Sequence, residues 1–120
     1  MGIINNLFDR FKNAELSIQP NKKIKTISKE FEESFGLTLV MYKGKMIAEP
    51  TLTLAALNKR TTLDVNAKSE PIKIKASMLV GAVEKMFEKE WGVKVQVKNA
   101  KGDRLVPNEI TLGQASREEY

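Results

Sequence analysis

The sequence predicts an α+β fold, a ferredoxin-like βαββαβ sandwich made from two internal repeats with an N-terminal helix. Three observations predict it. The stretch FEESFGLTLVMY at 31–42 returns as FEKEWGVKVQVK at 87–98, and GKMIAEPTLTLAALNKR from Gly44 matches GDRLVPNEITLGQASRE from Gly102. Each copy reads strand, helix, glycine stop, strand. The strands alternate polar and apolar residues, which suits a sheet covered on one face; a parallel sheet covered on both would read as continuous apolar runs. Side by side, two such halves make one sheet with both helices on the same side. Domain-swapped or side-by-side dimers of the same halves are the alternative.

Each element has a local reason. At residues 2–12, Ile4, Leu7, Phe8 and Phe11 recur at spacings of three and four, which predicts an amphipathic helix with Asp9, Arg10 and Lys12 on its other faces. That apolar face is expected to dock on the domain or on a second copy, because its polar face is too sparsely basic for a membrane surface. Glu15 to Gln19 alternates as a half-buried strand, and Pro20-Asn21 turns the chain. A helix from about Ile24 to Phe35 puts Ile24, Ile27, Phe31 and Phe35 on one face, and Gly36 stops it. The strand from Leu37 to Lys43 directs Leu37, Leu39 and Met41 inward. Lys43-Gly44-Lys45 turns, and a short helix near Thr51 carries Leu52, Leu54 and Leu57.

The second half repeats the plan. Pro71 to Lys75 is a strand, with Ile72 and Ile74 inward. A helix from about Leu79 to Trp91 carries Val80, Val83, Phe87 and Trp91 where the first half has Ile24, Ile27, Phe31 and Phe35. Gly92 stops it; Val93, Val95 and Val97 line the next strand. The turn from Asn99 to Asp103 is two residues longer than its counterpart, and Leu112 replaces Leu54. Between the halves, residues 61–67 alternate and read as either an extra strand or a linker. The resulting organisation is an N-terminal helix at 1–13, a first repeat at 14–60, a linker or strand at 61–70, a second repeat at 71–113 and a frayed tail at 114–120.

Composition narrows the function classes. At 120 residues the chain is one ordinary domain. It has no cysteine and no histidine, which removes thiolate and imidazole chemistry, disulfides and Cys/His zinc sites. No cofactor and no metal site are expected. The glycines form no phosphate-binding motif; Gly36 and Gly92 stop helices, and Gly44 and Gly102 serve turns. No apolar run approaches the roughly 20 residues that span a bilayer. The first residues do not read as a signal peptide, so a cytoplasmic address is the default expectation. The net charge of +5 permits contact with nucleic acid or an acidic partner, and solubility alone also explains it.

The uncovered sheet face is the first candidate surface. It is expected to display Ser17, Gln19, Thr38, Val40, Tyr42, Lys73, Lys75, Lys94, Gln96 and Lys98. Lys73, Lys75, Lys94 and Lys98 with Tyr42 form the candidate nucleic-acid contact, since lysines neutralise phosphates and an aromatic ring stacks a base. RNA-binding sheets of this kind carry two or three aromatics in an RNP-type string, and this chain offers one and no such string. Val40 and Tyr42, with Phe8 and Phe11 of the N-terminal helix, form the candidate protein interface. Glu30, Glu32, Glu33, Glu84, Glu88 and Glu90 read as solvated helix flanks, and the large aromatics at helical spacing read as core. The function expected is a small non-enzymatic module that holds a protein partner or its own copy, with weak, sequence-tolerant nucleic-acid binding as the alternative.

The pattern Phe31, Phe35-Gly36, Leu37 to Tyr42, a polar turn and Thr53-Leu54-Ala55 also resembles a small bacterial module of unassigned function. The second copy departs from it, with Trp91 for the second Phe and Gly113 for the Ala. The resemblance covers most of residues 15–117. Its motifs are packing residues, so it implies no activity and no site residues.

Overall fold

The computed structural model describes residues 14–58 and 72–117. The helix expected at 2–12 and the element expected at 61–67 lie outside these residues. The described elements run β1 (Glu15–Ile18), α1 (Ile24–Phe35), β2 (Thr38–Lys43), β3 (Met46–Ile47), α2 (Leu54–Asn58), β4 (Ile72–Lys75), α3 (Val80–Trp91), β5 (Lys94–Lys98) and α4 (Leu112–Ser116). The fold is α+β with two antiparallel sheets, β1-β4 and β3-β2-β5. A ferredoxin-like sheet needs β2 and β5 apart, as its two edges. Here they pair directly, from Thr38 opposite Lys98 to Tyr42 opposite Lys94, so two sheets replace the single sheet expected. The alternation that fixes which face is inward says nothing about which strands are neighbours, and this is why the sequence reading missed the split.

The helices form where the spacing predicts. Ile24, Ile27, Phe31 and Phe35 of α1 and Val80, Val83, Phe87 and Trp91 of α3 are all buried. Both helices end on a left-handed glycine, Gly36 at φ 67° and Gly92 at φ 64°, a conformation that would cost a side chain with a Cβ roughly 1–2 kcal/mol. Their starts are less expected. Lys23 and Leu79 precede them, and neither supplies a side-chain cap. The first amides of α1 bond instead to backbone carbonyls of the loop before α2: Ile24 N to Leu52 O at 2.7 Å and Lys25 N to Pro50 O at 3.0 Å. In return, Leu54 N and Ala55 N of α2 bond to Lys22 O and Pro20 O. The second half repeats all four bonds: Val80 N to Ile110 O, Gly81 N to Asn108 O, Leu112 N to Met78 O and Gly113 N to Ala76 O. The long and short helices of each half therefore satisfy one another's orphan donors.

The two halves meet across two matched pairings. Ser17 faces Lys73 in one sheet and Val40 faces Gln96 in the other. Residues 17 and 73, and residues 40 and 96, are each 56 positions apart, the offset that aligns Phe31 with Phe87. Antiparallel pairing centred on equivalent residues is what a two-fold relation between halves produces. The short helices cross over: α2 packs against α3, and α4 against α1. The Ser116 hydroxyl ties α4 to the Phe35 carbonyl of α1 and donates to Leu112 O at 2.9 Å. Gln114, Ala115 and Ser116, expected in the frayed tail, are thus helical. The cause is a capping box, in which Thr111 Oγ1 accepts from Gln114 N and Gln114 Oε1 accepts from Thr111 N.

The core is one cluster drawn from both halves, and Leu39 and Val95 are each 3% exposed. The rings of Phe31 and Phe35 lie 5.0 Å apart at 59°, and those of Phe87 and Trp91 5.2 Å apart at 55°. Both are tilted arrangements that the ring quadrupoles favour.

Candidate interaction surface

The larger sheet positions the candidate side chains. Leu39, Met41, Val95 and Val97 are buried, so the alternate residues of β2 and β5 share the opposite face. Cross-strand pairs there are Thr38 with Lys98, Val40 with Gln96, and Tyr42 with Lys94. Val40 and Tyr42 are partly buried, and the Tyr42 hydroxyl donates to Gln96 Oε1 at 2.7 Å, a diagonal contact that fixes the ring.

The sequence reading missed a neighbour of this pair. The chain turns at Lys43-Gly44-Lys45 and returns as β3, which sets Ile47 opposite Tyr42 and Met46 opposite Lys43. Ile47 is 70% exposed and shares Tyr42's face; Met46 is 75% exposed. Val40, Tyr42 and Ile47 therefore adjoin across two strands. A two-residue strand has no periodicity, so only the apolar pair directly after the Lys-Gly-Lys turn could have signalled it.

The four lysines fall in two different sheets. Lys73 and Lys75 belong to β4 in the smaller sheet, Lys94 and Lys98 to β5 in the larger. Lys73 also sits 3.4 Å from Glu15 Oε1, in an exposed ion pair worth at most about 1 kcal/mol. Phe8 and Phe11 lie outside the described residues.

Two troughs flank the sheet, each between a long helix and the outer edge of the following strand. One runs along α1 and β2 and includes Ser28, Val40, Ile47 and Pro50; the other runs along α3 and β5 and includes Leu79, Glu84, Gln96 and Asn108. Their chemistry differs at one equivalent position. Ser28 Oγ donates to Leu39 O at 3.2 Å, whereas Glu84 Oε2 accepts from Val97 N at 3.3 Å. Glu84 is therefore not the solvated flank that the sequence suggested. Burial raises its carboxyl above the usual carboxylate range; the Val97 amide and the charge of Lys94 oppose this without cancelling it.

The sign of the resulting pH dependence follows. A carboxyl whose folded pKa exceeds its unfolded value holds its proton more tightly in the folded state. Stability from this group is full below the unfolded pKa and is lost as pH rises through the raised folded value. Glu84→Gln keeps an acceptor for Val97 N and removes the charge. It is expected to be more stable than the parent at neutral pH and indistinguishable in acid, as read from thermal midpoints against pH. A parallel pair of curves would reject this account.

Among the described residues, no three acidic side chains are grouped to hold a metal ion, and no helix is long and apolar enough to cross a membrane. No protein-family model matches the chain, and no curated protein or solved structure is significantly similar to it.

Proposed function

We propose that this chain is a small non-enzymatic protein-interaction module whose contact face is the outer side of β2, β3 and β5. The observation that carries the reading is the apolar ridge formed by Val40, Tyr42 and the exposed Ile47, rimmed by Lys94 and Lys98. Single exposed apolar residues mean little. A contiguous group with an aromatic anchor and a polar rim has the composition of a recognition surface. The partner is another protein or a second copy of the chain. A cytoplasmic setting accords with the absence of cysteine.

We also infer that the halves are two copies of one ancestral unit. The common offset, the repeated helix-start bonds and the matched ring pairs support this. The copies have diverged on their outer faces: Val40 and Tyr42 correspond to Gln96 and Lys98. One copy supplies the apolar ridge, the other the polar ground around it.

The double variant Val40→Lys with Ile47→Lys tests the face. Both side chains lie outside the core, so the thermal midpoint is expected to move by only a few degrees. Light scattering is expected to show lost self-association, or affinity capture a lost partner. Unchanged mass together with unchanged capture would remove the face from the reading. Salt-sensitive retention on single-stranded nucleic acid, lost on neutralising Lys73, Lys75, Lys94 and Lys98, would favour the alternative.

A further inference from the structure

We propose, resting on the protein-contact reading of the outer sheet face, that its partner is an acidic segment of another protein. Carboxylates of that segment meet the lysines of the sheet, and its apolar side chains meet two diagonal corners, Ile47 and Leu105.

The second corner lies on the edge of β5 away from β2. Leu105 stands opposite Lys98 there, and Val106 N bonds to Val97 O at 3.1 Å. The first half has the same arrangement, with Ile47 opposite Tyr42 and Ala48 N bonded to Met41 O at 2.9 Å. Directly opposed residues of an antiparallel pair share a face. Leu105 and Ile47 therefore stand on the outer side, while Val106 and Ala48 are buried; Leu105 is 57% exposed. Three strand spacings and four residues along the strands separate the corners, a diagonal of about 19 Å.

The positive charge of the chain gathers on this side. Residues 38–49 and 94–106 make the larger sheet and its two turns. They hold six Lys or Arg and two Asp or Glu, a net +4 in a chain of net +5. The helices that pack on β2 and β5 hold the reverse, since α1 and α3 each carry three glutamates and two lysines. Of the two acids, Asp103 Oδ1 accepts from Asn99 Nδ2 at 2.7 Å within its turn, and Glu49 lies beyond β3. The paired rows of the outer face contain Lys94 and Lys98 and no carboxylate.

This composition selects among occupants. A second copy laid face to face brings more lysine and nothing to answer Lys94 and Lys98. A nucleic-acid strand finds partners for its phosphates but a single ring, Tyr42; Val40, Ile47 and Leu105 are aliphatic and give bases no platform to stack on. An acidic segment with apolar side chains satisfies both the charges and the corners.

The test titrates the ¹⁵N-labelled full chain at low salt with a synthetic Glu-Leu peptide of about 16 residues, patterned as an amphipathic helix. Its companions are the same peptide with Ser for Leu, the same peptide with Lys for Glu, and oligothymidylate. The Glu-Leu peptide is expected to shift the amides of Tyr42, Ile47, Lys98 and Leu105 and to spare those of α1 and α3. The Glu-Ser peptide is expected to bind at least tenfold more weakly. Ile47→Ser with Leu105→Ser is expected to weaken the Glu-Leu peptide to the same degree, and Lys94→Gln with Lys98→Gln to flatten its salt dependence. Equal binding of the Lys-Leu peptide would keep the face and overturn its preference for an acidic partner. Shifts with neither leucine peptide would overturn the proposal and the face together. Tighter binding of oligothymidylate would make the partner a nucleic acid. A doubled mass by light scattering, lost in the Ile47→Ser, Leu105→Ser variant, would make it a second copy.

Discussion

Trp91→Ala is expected to cost about 3–5 kcal/mol of folding stability, while Trp91→Phe costs no more than about 1 kcal/mol. Trp91 is fully buried, and its ring packs on Phe87. Truncation removes that contact and leaves a cavity in the core. Domains of this size have about 5–15 kcal/mol in total, so the alanine variant forfeits a large share of it. The phenylalanine variant differs because the indole Nε1–H is buried without a hydrogen-bond partner among the described residues. An orphan donor of this kind costs about 1–3 kcal/mol. Removing it offsets the apolar area lost with the smaller ring. The first half shows that the site type accepts the change, since Phe35 holds the equivalent place with nearly the same ring geometry. Urea titration measures both variants. A phenylalanine variant as unstable as the alanine one would mean that the indole N–H contributes to folding.

Leu54→Ala is expected to lower stability by about 2–5 kcal/mol and to loosen both halves together. Leu54 is fully buried in α2, which packs on α3 of the other half. Both sheets among the described residues join the halves as well, through β1 with β4 and β2 with β5. Neither half retains a covered core if its neighbour leaves. Amide exchange in β5 and α3 is expected to accelerate as much as exchange in β1 and α1, with one unfolding transition throughout. Leu112→Ala, at the equivalent position, is expected to behave alike. Protection lost in the first half alone would show that the halves fold separately.

The local structure was legible because periodicity is a local signal. The apolar faces of α1 and α3, the glycine stops and the inward residues of β2 and β5 all followed from spacing. Strand order was not legible, because Val40 opposite Gln96 is a long-range choice that alternation leaves open. The starts of α1 and α3 carried no cap signal at Lys23 or Leu79, since their partners are backbone carbonyls about 30 residues away, which any residue type supplies. Of the candidate face, Val40 and Tyr42 were visible and Ile47 was not. Glu84 was misread for the same reason as the strand order: its burial depends on Val97, which the helix pattern does not report.

The helix starts have a kinetic consequence. The first turn of α1 is completed only when the chain around Pro50 to Leu54 has returned to Pro20 and Lys22, and α3 waits on Asn108 to Leu112 in the same way. Closing loops of about 30 residues costs entropy before any bond forms. Neither long helix is a ready-made seed, so folding should begin from distant encounters and run slowly for a chain of this length.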